Sequence, residues 1–435
     1  MDGERQSTRY PFGYPDYRGG SLRDVLPVIG AALGIDPADL DPDGPGDGTG
    51  PGPDSGLDRP DGYADYAGYG HPGRDSGHPG HKPSWSFEPV RRACLFLVDG
   101  MGRELIADNP DVAPYLAGLL AGTAGELGPA GSGRTLSAGF PSTTSTSLSS
   151  FGTGLPPGAH GMLGYKLRVP ELGRLMNFLR WDQPVDPLVW QPRETMFERF
   201  ERSGVAVTHV SEPRFADTGL TRSVFRGASF SGAEPGDERA LRALELLEGG
   251  DRELVYLYYR DLDFTGHHTG VDSDGWREQL AYVDSLVRWL AERLPPDCAL
   301  YVTADHGMID VPEEHKIDVD TDWELRAGVA LLGGEARARH VYAQPGAARD
   351  VLAIWTERLE GVAEVRSRER AIAEGWFGAQ VDDRIAPRIG DVVVAMREDW
   401  AITATKREAI ESTLVGMHGS MTGAEQLIPL LEVRG

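Results

Sequence analysis

The sequence has few cysteines, a shortage of positive charge and no long hydrophobic run. Among 435 residues there are two cysteines, Cys94 and Cys298. That is too few for a disulfide framework and points to a reducing compartment. Lys and Arg number 43 against 67 Asp and Glu, a formal net charge of −24. Such a field repels polyphosphate backbones and anionic lipid, so neither a nucleic-acid polymer nor a membrane is an expected partner. A small phosphate ester held at a local cationic site remains compatible with it. No stretch approaches the roughly 18 consecutive apolar residues that cross a bilayer. The opening MDGERQSTRYPFGYPDY lacks the apolar segment of a signal peptide. The expected location is therefore cytoplasmic.

What is present is a core-forming chain, 40% hydrophobic, interrupted by one biased tract. Residues 1–35 form an N-terminal segment in which Val25, Ile29 and Leu33 share one face of a short helix. From 36 to 86 the composition turns to Gly, Pro and Asp, which cannot offset its ordering entropy; a disordered acidic insertion is expected there. Beyond it, apolar runs at 93–98, 205–210, 253–259 and 298–303 read as strands. Between the last two, Leu280, Val283, Leu286, Val287, Leu290 and Leu294 recur at helical spacing. Strand, helix, strand in this order predicts an α/β fold, with a mostly parallel central sheet and helices on both faces. Shorter pieces at 327–410 predict a small inserted α+β subdomain, leaving 87–326 and 411–435 as the core.

Parallel sheets gather chemistry at the carboxyl ends of their strands. Asp99, Asp263 and Asp305 each follow a predicted strand, and the last two have His267 and His306 close behind. A Gly-flanked histidine, His418, comes late in the chain. Any one of these is commonplace, since an Asp after a strand is often only a helix cap. Together they supply six Asp and His ligands of the kind that borderline divalent ions prefer. Six is the number for two ions with three protein ligands each, an arrangement suited to in-line phosphoryl displacement. The hydroxyl-rich tract FPSTTSTSLSS offers a nucleophile in Thr143, Thr144, Ser145 or Thr146. The tract is expected to open a helix, whose first turn favours an anionic phosphate.

Five segments carry a resemblance: LVDGMG, FPSTT with TGLPPGAHG behind it, DFTGH, ADHGM and MHGSM. In this order they resemble the alkaline phosphatase superfamily, and more closely its nucleotide pyrophosphatase/phosphodiesterase branch. FPSTT is similar to that branch's nucleophile motif, DFTGH to its Asp-x-x-Gly-His and ADHGM to its Asp-His-Gly-Met. The resemblance implies an alkaline phosphatase-like fold with Thr144 as nucleophile. It implies one metal held by Asp263, His267 and His418. The other would be held by Asp99, Asp305 and His306, with Thr144 beside it. The ions implied are two Zn²⁺, with Mn²⁺ as the alternative. Three positions depart from the branch's pattern: Ser145 stands where an aromatic is common, and Ser147 and Tyr165 stand where phosphate-contacting Asn residues occur. Ser147, Tyr165 and the strand residue Tyr258 are the candidate substrate contacts.

The expected function is a two-metal phosphodiesterase or nucleotide pyrophosphatase-type hydrolase working through a phosphothreonine intermediate. Its substrate would be a small phosphate ester or nucleotide. The rival readings are a phosphomonoesterase or phosphonate hydrolase of the same superfamily, and a non-catalytic, metal-stabilised interaction protein.

Overall fold

A computed structural model of the chain describes residues 12–17, 20–42 and 85–435. In it the strands of the main sheet up to residue 303 are β1 (Arg92–Val98), β2 (Gly131–Ser137), β3 (Ala206–Ser211), β4 (Ser229–Gly232), β5 (Glu253–Tyr259) and β6 (Cys298–Thr303), of which β1, β3, β5 and β6 hold the apolar runs. A second group comprises β7 (Val329–Glu335), β8 (Ala338–Ala343), β9 (Ala363–Ser367) and β10 (Val392–Met396), and the chain ends in β11 (Leu427–Arg434). The main sheet has seven strands in the order β2-β11-β6-β1-β5-β3-β4. From β6 to β4 every pairing is parallel. Only β11 runs against its neighbours, antiparallel to both β6 and β2. The ELVYLYY of β5 and CALYVT of β6 are buried along their whole lengths, as strands covered on both faces must be.

Among the helices, α1 (Val25–Ala32), α2 (Thr144–Thr153), α3 (Asp261–Thr269), α4 (Asp274–Ala291) and α5 (Ala348–Arg358) matter most here. The α1 helix buries Val25, Leu26 and Ile29 completely, and Leu40 beyond it also enters the main core. Residues 43–84, the bulk of the expected acidic insertion, lie outside the described residues. The apolar stripe of α4 buries Leu280, Val283, Leu286, Val287 and Leu290, and the helix stops at Ala291, short of Leu294. Ser273 caps its start, accepting from the Trp276 N–H. Asp284 sits on the buried side because its Oδ1 accepts the Leu116 N–H at 2.8 Å, satisfying a donor at the start of a neighbouring helix.

The strands β7-β8-β10-β9 form a separate antiparallel sheet. It has its own apolar cluster, in which Val351 and Trp355 of α5 meet Val341, Val392 and Val394. Among the described residues no helix is long and apolar enough to cross a membrane.

The two sheets are tied by an ion pair with both partners fully buried. Arg337 Nε lies 2.7 Å from Glu425 Oε1, and Arg337 Nη2 2.8 Å from Oε2. The same carboxylate accepts from the Ser420 N–H at 2.9 Å and from Thr422 Oγ1 at 2.6 Å. Removing one partner strands a charge in the interior, so Glu425→Ala should lower stability by about 3–5 kcal/mol. Urea unfolding followed by circular dichroism measures this; a loss below about 1 kcal/mol would show that the pair is not a structural tie.

Candidate active site

Strand pairing brings the chemical groups together. Because β1 pairs in parallel with both β5 and β6, Val98 lies opposite Tyr259 and Leu97 opposite Thr303. The three strands therefore end at one level. Asp99 follows β1 directly, Asp263 is in the first turn of α3 after β5, and Asp305 lies two residues past β6. At the same edge Thr143, in extended conformation, occupies the position just before α2 without a side-chain cap, and Thr144 is the first helical residue. The loop leading into α2 is held from two sides. Gln426 Nε2 donates to Gly139 O at 2.6 Å, and the Phe140 N–H donates to Tyr17 Oη at 2.9 Å.

All seven residues expected to form the metal and nucleophile site meet in one cluster. Thr144 Oγ1 is 3.4 Å from Asp99 Oδ1 and 3.3 Å from His306 Nε2. His306 Nε2 is 3.4 Å from both Asp99 Oδ1 and Asp305 Oδ2. Asp263 Oδ2 lies 3.3 Å from His267 Nε2, and Asp263 Oδ1 lies 3.8 Å from His418 Nε2. The tightest groupings are Asp99–Asp305–His306 and Asp263–His306–His418, so His306 stands between two potential cation sites. His267 adjoins the second, its Nε2 at 3.2 Å from His418 Nε2. Of the other hydroxyls in the tract, Ser145 Oγ donates to Gly164 O at 3.0 Å, while Thr146 and Ser147 are buried within α2.

The hydrogen bonding on the far side of each imidazole fixes its role. His267 Nδ1 lies 2.7 Å from Gly416 O, His306 Nδ1 2.9 Å from Gly307 O and His418 Nδ1 2.8 Å from Ser142 O. A carbonyl oxygen only accepts, so each Nδ1 carries the hydrogen and each Nε2 turns a lone pair into the cluster. Burial first, and then His306 and His267, hold the His418 imidazole well below its usual range, in the neutral form that ligates metal.

The carboxylates are left in the opposite condition. Burial, followed by the charges of Asp305 and Asp263, pushes Asp99 well above the usual carboxylate range. Burial and Asp263 raise Asp305 as well. Asp263 Oδ1 and Asp305 Oδ2 are buried without a hydrogen-bond partner among the described residues. Lone pairs, close carboxylates and orphaned oxygens converging on two points fit two divalent cations of the kind that take Asp and His.

Glycine makes the close approach possible. A Cβ on Gly307, next to His306, would lie 1.9 Å from Ala424 O, and the Gly307 N–H donates to Glu425 O at 2.9 Å. A cavity of about 660 Å³ opens from the cluster. Tyr165 and Tyr258 line it, and Tyr258 Oη donates to Asp99 Oδ2; Ser147 is not part of its wall. Sequence reasoning missed Ser142, whose carbonyl orients His418 and whose Oγ accepts from the Gly419 N–H at 3.2 Å. It sits inside the quoted FPSTT, but a backbone acceptor leaves no sequence signal. It also missed Glu335, which lines the cavity and accepts the Tyr165 N–H at 2.9 Å.

Comparison with known proteins places this geometry. The family model for type I phosphodiesterase / nucleotide pyrophosphatase matches residues 93–421. Human ectonucleotide pyrophosphatase/phosphodiesterase family member 5 is 24% identical over 195 residues, 42% of this chain. A phosphopentomutase from Lachnoclostridium phytofermentans is 26% identical over 147 residues, and the chain spans 36% of that relative's length and 37% of the human one's. Among solved structures, an inactive form of murine ectonucleotide pyrophosphatase/phosphodiesterase 5 in complex with AMP superposes with a TM-score of 0.63 at 18% identity. That match covers 78% of this chain and 87% of the other. Phosphonoacetate hydrolase from Sinorhizobium meliloti superposes with a TM-score of 0.60 at 19% identity, covering 79% and 90%.

Gly307→Ala forces a methyl group against backbone and should displace His306 at a cost of about 1–3 kcal/mol. We expect its divalent-metal content, measured by plasma mass spectrometry after dialysis, to fall clearly below that of the wild type. Unchanged content would separate the His306 loop from cation binding.

Proposed function

Because the chain belongs to the type I phosphodiesterase / nucleotide pyrophosphatase family, we propose that it is a phosphodiesterase or pyrophosphatase-type hydrolase acting through Thr144 with two divalent ions, zinc first among them. The observation that carries the proposal is the placement of Thr144 Oγ1. It lies at the start of α2, 3.4 Å from Asp99 Oδ1 and 3.3 Å from His306 Nε2.

Asp99, Asp305 and His306 would hold one ion and Asp263, His267 and His418 the other. Bound there, the ions supply positive charge that acidifies a neighbouring hydroxyl and offsets charge developing on phosphoryl and leaving oxygens. The chain's own groups do the rest. The first turn of α2 presents N–H groups without intrahelical partners and the positive end of the helix dipole, both favourable to an anionic phosphoryl group. Thr144 gives its hydroxyl hydrogen to Asp99 Oδ1 and attacks phosphorus in line. The Oγ1–P bond forms as the bond from phosphorus to the leaving oxygen breaks, giving a phosphothreonine and either a phosphate or an alkoxide that takes a proton from solvent. Water then attacks the phosphothreonine and loses a proton to solvent, the Oγ1–P bond breaks and Thr144 recovers its hydrogen from Asp99.

The AMP complex of the murine neighbour supports a nucleotide or related phosphate ester as the substrate class. At the position after Thr144, however, Ser145 is turned away into a hydrogen bond with Gly164 O, so no stacking platform stands there. Cys94 and Cys298 are free and buried, in keeping with work in a reducing, cytoplasmic setting.

With zinc present, bis(4-nitrophenyl) phosphate should be turned over faster than 4-nitrophenyl phosphate. Thr144→Ala should lower that rate at least about a thousandfold without loss of bound metal, and a phosphorylated Thr144 peptide should be trapped from the wild type by acid quench. Full activity in Thr144→Ala would remove the covalent route; a dominant monoester rate would move the reading to a phosphomonoesterase.

A further inference from the structure

The cavity extends beyond the cation cluster, and part of its wall has unmet hydrogen-bonding capacity. On β3 and β5, His209 lies opposite Tyr256, with the two rings stacked at a centroid distance of 4.7 Å. Ser211, two residues along β3, shares the face of His209, and Tyr258 shares the face of Tyr256. All four line the cavity. Tyr258 donates to Asp99 Oδ2, so the wall runs from the candidate active site to His209.

His209 is 3% exposed, and Ser211 and Tyr256 are fully buried. Among the described residues, both ring nitrogens of His209, Ser211 Oγ and Tyr256 Oη have no hydrogen-bond partner. Phe225 and Phe230 approach the His209 ring edge-on at 5.1 and 5.2 Å and offer no acceptor. Burial pushes the His209 imidazole down to about 3, so it is neutral, with one donor and one acceptor. Four adjacent polar atoms left unpaired in an interior are costly, and native proteins rarely tolerate them without a ligand or water to meet them. None of the proposed chemistry uses them. The three side chains are uncharged and between them offer both donors and acceptors, which match a neutral group bearing both.

We infer that His209, Ser211 and Tyr256 form a recognition subsite for the organic group of the phosphoester, selecting an uncharged ring that bears both a hydrogen-bond donor and an acceptor. The inference rests on the hydrolase reading for its substrate and deepens it. A site built to pair such groups discriminates against analogues that lack them, because its own polar atoms are then left buried and unpaired.

The test uses three 4-nitrophenyl phosphodiesters of the full-length, zinc-loaded protein, whose second ester group is phenyl, 3-carbamoylphenyl or 3-carboxylatophenyl. Release of 4-nitrophenolate gives kcat/KM, and calorimetry with the Thr144→Ala protein gives affinity without turnover. The carbamoyl ester should be favoured over the phenyl ester by about tenfold in both readouts, and the carboxylate ester disfavoured. His209→Phe and Ser211→Ala should each bring the carbamoyl-to-phenyl ratio close to one. His209→Phe should not lower the melting midpoint, since it removes two unpaired nitrogens from an aromatic cluster. If that variant does not fold, Ser211→Ala carries the test alone. Turnover with no carbamoyl preference, or a preference that survives both variants, overturns the subsite and leaves the hydrolase reading standing. A carbamoyl preference in binding that Ser211→Ala abolishes, with no turnover of any ester, supports the subsite and sinks the hydrolase reading.

Discussion

Like charges and lone pairs forced together in a buried space need a compensating positive charge, and this constraint governs the candidate active site. Asp99, Asp263 and Asp305 converge with three imidazoles whose Nε2 atoms face inward. Unfilled, such a cluster repels itself; with cations it becomes a strong site. The backbone carbonyls of Ser142, Gly307 and Gly416 enforce the arrangement, because they commit every Nδ1 to donating outward. A change in those loops would disturb the ligands without touching one.

The scaffold meets this constraint with ordinary means. Parallel pairing of β1 with β5 and β6 sets three carboxylates at one sheet edge. The Gly307 backbone packs too tightly against Ala424 to admit a side chain. Glu425 ties the loop after His418 to Arg337 beside the second sheet, through contacts with Ser420 and Thr422. The second sheet, with its separate apolar cluster, bears on the active-site edge through this buried charge pair, through Ser420 Oγ donating to Met396 O, and through Glu335 in the cavity wall. Thr144 depends on this edge as well, for its loop is pinned by Gln426 just before β11 and by Tyr17 from the N-terminal segment.

Much of this was legible in the sequence, for physical reasons that differ by element. The strands β5 and β6, and β1 from Ala93 on, are fully buried, so they read as unbroken apolar runs, and the parallel α/β fold followed from their alternation with helices. The edge strand β2, GSGRTLS, is half exposed and has no such pattern. The reversed β11 carries Pro429 and Glu432 within its apolar residues, and nothing local announces that it inserts between β2 and β6. Asp263 and His267 were visible as a pair one helical turn apart, and the structure puts both on α3 facing the cluster. The choice of Thr144 over its neighbours came from resemblance alone; in the structure Thr144 Oγ1 lies 3.4 Å from Asp99 Oδ1, while Ser145 Oγ donates to Gly164 O. Ser142, Glu335 and the His209 wall were invisible because their roles depend on contacts between distant strands and loops.

The most direct test of the central claim is a crystal structure of the zinc-loaded protein with anomalous diffraction recorded at the zinc edge. The account predicts two peaks about 4 Å apart, one touching Asp99, Asp305 and His306, the other Asp263, His267 and His418, with Thr144 Oγ1 beside the first. A single peak, or zinc bound elsewhere while Asp99 and Asp305 stay unliganded, would contradict it.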